Sequence, residues 1–366
     1  METTHCRASR PIPASSGKSA QAVPEARSTR LFKGIPGSVA LSVGLLLAAT
    51  AGRSVAEPPS RAGGGSAKPA VWMMPPAYDN GRCFRDLFEQ PDAWRETRSV
   101  IDVLGYADHN LDKHFSDDQL RAWLPKLRQW GIKFALEVGA LKPWGTTAEK
   151  TFKIERPVWD RVERLGGSIY AIAMDEPLCC ARKEIHKPDD YAVEETARYV
   201  ALVRKHYPRV LIGDIEPYPY IPLPDLIRWI EALEKRLAEM HVTGLDFFRL
   251  DVDWVCFTVR NQGSWREVKK LEQCCRNRRL AFSLIYWASG YPAMDRRRLA
   301  DDSTWYVSTM QQGYDYAAVE GAPDQYVVES WIAAPSRCVP ETGEFTFTRS
   351  VRDFSRKFAA RGSPSR

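Results

Sequence analysis

The sequence has no C-x-x-C pair, no G-x-G-x-x-G or phosphate-binding loop, and no apolar run near the ~20 residues that a membrane-spanning helix requires. The usual zinc patterns, the glycine-rich nucleotide sites and an ordinary transmembrane span are therefore not expected. A nucleophilic serine in a G-x-S setting is missing too: the nearest run, Gly64-Gly65-Ser66, sits in a flexible stretch. Excess basic charge is scarce outside the first 56 residues. The net charge of +6 comes mostly from residues 1–56, where seven basic side chains face Glu2 and Glu25. Residues 57–366 keep only +1, too little for a phosphate-backbone footprint, so no nucleic-acid partner is expected.

What is present begins with a leader. A basic stretch ends at Lys33, an apolar run follows from Val39 to Ala49, and Ala49-Thr50-Ala51 and Ser54-Val55-Ala56 offer small-residue cleavage sites. Residues 1–56 read as a signal peptide, which implies export to a periplasmic or extracellular space and no stable membrane span once the leader is cleaved. An uncleaved anchor and an organellar transit peptide are the alternatives. Residues 57–70, rich in Pro, Gly and Ser, read as a flexible linker. Seven of the eight cysteines lie beyond the leader, and export permits disulfides among them, but an odd number leaves at least one thiol.

From Val71 onward, short apolar runs alternate with longer amphipathic ones. Strands are predicted at Val71–Pro75, Val100–Tyr106, Lys133–Gly139, Ile169–Asp175, Val210–Glu216, Leu245–Asp253, Leu280–Trp287 and Gln325–Trp331. Helices are predicted at Asp117–Trp130, Pro157–Leu165, Tyr191–His206, Asp225–Met240, Trp265–Arg276 and Ser350–Ala359. Ser116 and the run Pro188-Asp189-Asp190 are start signals. Eight strand–helix repeats over residues 71–360 predict a single-domain α/β fold, the (β/α)₈ TIM barrel, with a disordered tail at 361–366. An open doubly wound sheet is the alternative, though it more often carries a glycine-rich phosphate loop.

Alternation along the strands predicts which side chains face inward. Arg249, Asp251 and Asp253 oppose Phe248, Leu250 and Val252; Lys133, Ala135 and Glu137 oppose Phe134, Leu136 and Val138. Glu329 opposes Tyr326 and Val328, and Asp214 with Glu216 oppose Leu211 and Ile215. A barrel interior this ionic is expected either to be an internal ion-pair network, with Arg249 and Lys133 neutralising Glu137, Asp214 and Asp251, or to belong to a site at the strand ends.

Four predicted strand ends carry carboxylates: Asp175-Glu176-Pro177, Glu216-Pro217, Asp253-Trp254 and Glu329-Ser330-Trp331. Tyr106, Trp144, Tyr218, Trp254, Trp287 and Trp331 accompany them, and His109 follows the second strand. Aromatic faces suit sugar rings and carboxylates suit their hydroxyls. Glycosidic cleavage needs one carboxylic acid to protonate the leaving oxygen and a second carboxylate to attack carbon or activate water.

The run Ile172-Ala173-Met174-Asp175-Glu176-Pro177 resembles the fourth-strand signature Asn-Glu-Pro of the large clan of retaining barrel glycoside hydrolases, and Trp331 resembles that clan's substrate-floor tryptophan. The resemblance implies Glu176 as acid/base, a carbohydrate partner and no cofactor. Two positions depart from it: Asp175 stands where the clan has Asn, and the seventh strand, Phe282-Ser283-Leu284-Ile285-Tyr286-Trp287, has no acid. A catalytic partner must then come from elsewhere, with Glu329 the first choice and Asp253 the second. Two other functions compete. A metal-dependent sugar isomerase or lyase of the xylose-isomerase-like type would use Glu216, Asp253 and Glu329 as oxygen ligands for Mg²⁺ or Mn²⁺. A non-catalytic glycan-binding barrel would also account for the missing seventh-strand acid.

Overall fold

The computed structural model describes residues 68–253, 256, 262–287 and 301–359. The leader, the linker as far as residue 67, Trp254 and the 361–366 tail lie outside the described residues. Eight parallel strands close into a barrel in chain order: β1 (Ala70–Met74), β2 (Val103–Ala107), β3 (Lys133–Val138), β4 (Ile169–Asp175), β5 (Leu211–Tyr218), β6 (Phe247–Val252), β7 (Ala281–Tyr286) and β8 (Gln325–Glu329). Closure is made by β1 against β8, in register from Ala70↔Gln325 to Met74↔Glu329.

Helices fill the returns. After β1 come α1 (Arg82–Glu89) and α2 (Arg95–Arg98), and after β2 α3 (Asp108–His114) and α4 (Asp117–Gln129). Then α5 (Ala148–Arg164) follows β3, and α6 (Pro177–Lys183) and α7 (Asp189–His206) follow β4. The rest are α8 (Leu223–Glu239), α9 (Trp265–Asn277), α10 (Asp302–Ala318) and α11 (Phe347–Phe354). Helix α4 starts at a capping box: Ser116 Oγ accepts from the Gln119 N–H at 3.3 Å, and Gln119 Oε1 accepts from the Ser116 N–H at 3.0 Å. Pro188 stands at the position before α7, where the sequence suggests the helix opens. Helix α5 begins well before the expected Pro157. Its first N–H, at Ala148, is taken by Glu195 Oε2 at 2.8 Å, and Thr147 Oγ1 accepts from the Lys150 N–H at 3.3 Å. That anchored start carries the helix through Pro157.

The outward faces of the strands, including Phe134, Leu136, Phe248 and Leu250, pack under the helices, and an inner cluster holds Trp72, Val103, Ala135, Ala171, Ile215, Phe247, Ile285 and Val327. The expected parity holds in β3, β6 and β8 and is reversed in β5. There Leu211 and Ile215 face the interior, so Asp214 and Glu216 face the helix layer. Each finds a partner outside the barrel: the Trp229 indole donates to Asp214 Oδ2 at 2.6 Å, and Glu216 accepts from backbone N–H groups of α6. Between Leu211 and Ile215, Gly213 leaves room for Phe247, whose ring would lie 1.9 Å from a Cβ added there.

The two ends of the chain path are stapled together. Cys83 of α1 is disulfide-bonded to Cys338 in the segment after β8, across 255 residues. For so long a loop the chain-entropy relation gives a gain of about 5–6 kcal/mol. Nearby, Glu341 accepts from the N–H groups of Glu96 and Thr97 at 2.8 and 2.7 Å. No helix among the described residues is long and apolar enough to cross a membrane.

Candidate active site

The strands' C-terminal ends carry two sets of ionisable side chains, each arranged around a buried cation. The first spans β2 to β4. Asp175 ends β4 on the inner face, and Glu176, the next residue, is buried with φ 55° and ψ 47°. A non-glycine residue in that left-handed region costs on the order of 1 kcal/mol or more, a strain tolerated where a side chain must be aimed. The Glu176 N–H donates to the Ile215 carbonyl at 3.0 Å, so the turn is tied to β5.

Lys142 reaches this turn from the loop after β3, where its main chain makes paired hydrogen bonds with Gly145 at 3.0 and 2.9 Å. Its ammonium lies 2.5 Å from Asp175 Oδ2 and 3.3 Å from the Cys180 sulfur. Burial works against charge on Lys142, but Asp175, Cys180 and Glu176 together outweigh it and hold the pKa well above the ordinary lysine value. Behind it stand two buried carboxyls. Asp108 is pushed up to about 7, chiefly by burial, against the hydrogen bond it accepts from Trp159 Nε1 at 3.1 Å. Glu155, which accepts from the Tyr199 hydroxyl and the Gly139 N–H, is raised well above the carboxylate range by burial and by Asp108. His109 stands at the rim with its imidazole more than half exposed. Surrounding protein lowers its pKa, against the pull of Asp175.

The second set lies on the inner wall from β6 to β8. Arg249 is completely buried, stacked over Trp72 at 4.3 Å and Phe247 at 5.1 Å. Its Nε donates to Ser283 Oγ at 3.0 Å and its Nη1 meets the Met74 sulfur at 3.7 Å. Burial lowers its pKa to about 10, with Glu329 and then Glu137 working in the opposite direction. Above it, Trp287 and Trp331 form a tilted pair with ring centroids 4.0 Å apart, and Trp287 Nε1 donates to Asp251 Oδ1 at 2.6 Å.

The structure thus brings Asp175, Glu176 and His109 together in one sector and Glu329, Trp287 and Trp331 in another, while Trp144 lies half-buried over the tip of β3. A Cβ on Gly139 would come within 2.6 Å of the Trp144 ring. Asp253, the residue after β6, is half-buried, with its carboxylate accepting from the Cys256 N–H at 3.1 Å and facing the Cys256 thiol at 3.2 Å.

Three expected substrate contacts are corrected. Tyr106 points into the helix layer against Phe84 and Phe115. Tyr218 also faces outward, donating to Glu267 and accepting from the Ser264 N–H at 3.1 Å. Glu216 is fully buried and caps α6 through the Leu178 and Cys179 N–H groups at 2.6 and 3.1 Å. Burial raises its pKa well above the carboxylate range, with Asp214 adding to the effect.

With Glu216 spent on α6, the oxygen-ligand set Glu216, Asp253 and Glu329 is not assembled. Among the described residues no group of three or more His, Cys, Asp or Glu is placed to hold a metal ion. The expected network also changes members. Lys133 stands exposed at the barrel's foot, its ammonium 4.2 Å from the Tyr170 ring centroid, and Glu329 and Glu137 act on Arg249 through space. Sequence reading missed Lys142, Asp108 and Glu155. Lys142 sits in a loop without a motif, and its partner Asp175 is 33 residues away.

Fold and site together define a (β/α)₈ barrel with carboxylates and aromatic rings at the C-terminal ends of its strands. No protein-family model matches the chain, and no curated protein matches its sequence. Among solved structures it is similar to a glucosidase from Croceicoccus marinus, at 12% identity and a TM-score of 0.47, over 81% of this chain and 68% of that one. A GH10 endoxylanase from a sugarcane soil metagenome is similar at 8% identity and a TM-score of 0.45, over 72% of this chain and 86% of that one. The carboxyl transferase domain of Rhizobium etli pyruvate carboxylase is similar at 10% identity and a TM-score of 0.43, over 82% of this chain but only 49% of that one. The chain therefore spans about half the length of that last structure. Likeness at these levels is one of fold and carries no activity with it.

Proposed function

We propose that the chain is an exported glycoside hydrolase acting on an oligo- or polysaccharide, with Glu176 protonating the leaving oxygen and Glu329 acting as the ionised partner. The observation that carries the reading is the pairing of strands. Glu176 follows β4 and Glu329 ends β8, strands that face each other across a closed eight-stranded barrel, and the Trp287–Trp331 pair stands beside Glu329. Acid and partner must flank a sugar from two sides. The resemblance of Asp175-Glu176-Pro177 to the clan's Asn-Glu-Pro supports the same assignment. In place of the clan's Asn, Asp175 carries a negative charge matched by Lys142.

Export is supported by the Cys83–Cys338 disulfide, a bond that persists in oxidising compartments. Asp253 is the weaker partner candidate because its carboxylate is engaged by Cys256. The test is turnover of a polysaccharide and aryl-glycoside panel by the wild type, Glu176→Gln and Glu329→Gln. Each variant is expected to lose roughly 10²–10⁴-fold or more in kcat while retaining its fold. A variant that keeps wild-type turnover removes its carboxylate from the mechanism, and tight glycan binding without turnover by the wild type favours the binding-barrel reading.

A further inference from the structure

We infer that the foot of the barrel, between β3 and β5, holds a second carbohydrate site, one that binds the carboxylate of an acidic glycan. The inference takes from the glycoside-hydrolase reading only that the ligand is a sugar. It starts from a pattern at the N-terminal ends of the even-numbered strands. The residue immediately before β2, β6 and β8 is in each case an aspartate: Asp102, Asp246 and Asp324. Each carboxylate accepts at 2.8 Å from a backbone N–H of the preceding strand, that of Val71 in β1, Ile212 in β5 and Phe282 in β7. Each aspartate N–H donates back to the carbonyl of the same residue, again at 2.8 Å. Such fixtures suit the face of this fold that ordinarily serves stability.

Before β4 the pattern breaks. Ser168 takes the aspartate's position, exposed and uncharged. Beside it lies a cavity of about 820 Å³, within the size range of small-molecule sites. Buried Leu127, Ile132 and Ile169 line it, and so do exposed Arg128, Lys133 and Arg209, with Glu163 the carboxylate among the lining residues. None of the three cations makes an ion pair with a carboxylate among the described residues. Other arginines at the foot do: Arg204 meets Asp246 at 2.7 Å, and Arg278 meets Glu234 at 2.9 Å. Arg128, in the last turn of α4, suits that helix's C-terminal end, but Lys133 and Arg209 lie outside the helices. The Lys133 ammonium is set beside the Tyr170 ring. At Gly131 an added Cβ would meet nothing within 4 Å, so the approach is open. Cations around an apolar bed match a uronic acid, whose ring has an apolar face and whose carboxylate brings the charge that the chain itself supplies at Asp102, Asp246 and Asp324. An inorganic anion would use the charge and leave the apolar surface unused.

The experiment is calorimetric titration of the whole protein with trigalacturonate at low salt, where charge is least screened. The wild type is expected to bind it and to bind neutral maltotriose at least tenfold more weakly. Ser168→Asp supplies the fourth carboxylate from the chain, and it is expected to weaken trigalacturonate binding at least tenfold, as is Lys133→Gln combined with Arg209→Gln. Should Ser168→Asp not fold, the double variant decides. Absence of binding, binding unchanged in these variants, or equal affinity for maltotriose overturns the inference. Equal affinity for sulfate overturns its sugar half, leaving a site for a free anion. Glu176→Gln, altered only at the mouth, is expected to bind trigalacturonate as the wild type does. A wild type that turns over no glycoside yet shows this binding pattern supports the foot site while the catalytic reading fails separately.

Discussion

Lys142 and Arg249 are buried to nearly the same degree, yet their surroundings shift them in opposite directions. Lys142 is held well above its ordinary value, and Arg249 is brought down to about 10. Desolvation opposes both charges and is the largest influence on each. The difference lies in contact. Lys142 touches a carboxylate at 2.5 Å, whereas Glu329 and Glu137 act on Arg249 without a direct salt bridge. A charge-assisted hydrogen bond repays burial where a carboxylate further off does not. The β2–β4 sector is thus a locked ion pair, whereas Arg249 in the β6–β8 wall makes no ion pair with another described residue.

The largest effect expected from this contrast is on stability. Lys142→Met strands Asp175 and should cost about 3–5 kcal/mol in urea denaturation, and adding Asp175→Asn should recover most of it. Arg249→Met should cost about 1 kcal/mol or less, because no short ion pair is broken and the side chain fills the same wall. Equal losses in the two variants would end the distinction drawn between them.

A smaller effect comes from the buried carboxyls, Asp214, raised to about 8, and Asp108, raised to about 7. With a folded-state pKa above the unfolded one, the native chain binds more protons between roughly pH 4 and 8, so their contribution falls as pH rises through that window. Asp214→Asn should therefore flatten the decline of Tm between about pH 6 and 8, since the amide oxygen still accepts from Trp229. An unchanged slope would show that Asp214 does not carry this dependence. The smallest effect expected is from exhaustive EDTA, which should leave activity unaltered; a loss restored by Mg²⁺ or Mn²⁺ would return the isomerase-like reading to consideration.

Legibility in the sequence followed periodicity. Ile169–Asp175 was predicted to the residue because a strand running between a glycine pair and an Asp-Glu-Pro turn has clear limits. Alternation assigned the faces of β3, β6 and β8, where one face is apolar and the other ionic. It failed in β5, where both faces are buried and carboxylates were taken to mean interior. Asp214 and Glu216 are satisfied by an indole and a helix N-terminus, partners that only the folded chain supplies. The aromatics divided in the same way: Tyr106 and Tyr218 sit near strand ends but on the helix side, while Trp287 and Trp331 line the interior. Lys142 could not be read from local pattern at all, since its role depends on a loop meeting a different strand.

The measurement that tests the paired-carboxylate account most directly is a leaving-group series. Wild type, Glu176→Gln and Glu329→Gln are compared on aryl glycosides whose phenols span a wide range of acidity. Loss of a general acid should matter least for the most acidic phenols, which need little protonation, so Glu176→Gln should approach wild-type kcat/KM on dinitrophenyl glycosides and fall steeply on poorer ones. Glu329→Gln should be impaired across the whole series. If both variants lose activity equally at every leaving group, the division of labour between Glu176 and Glu329 is contradicted.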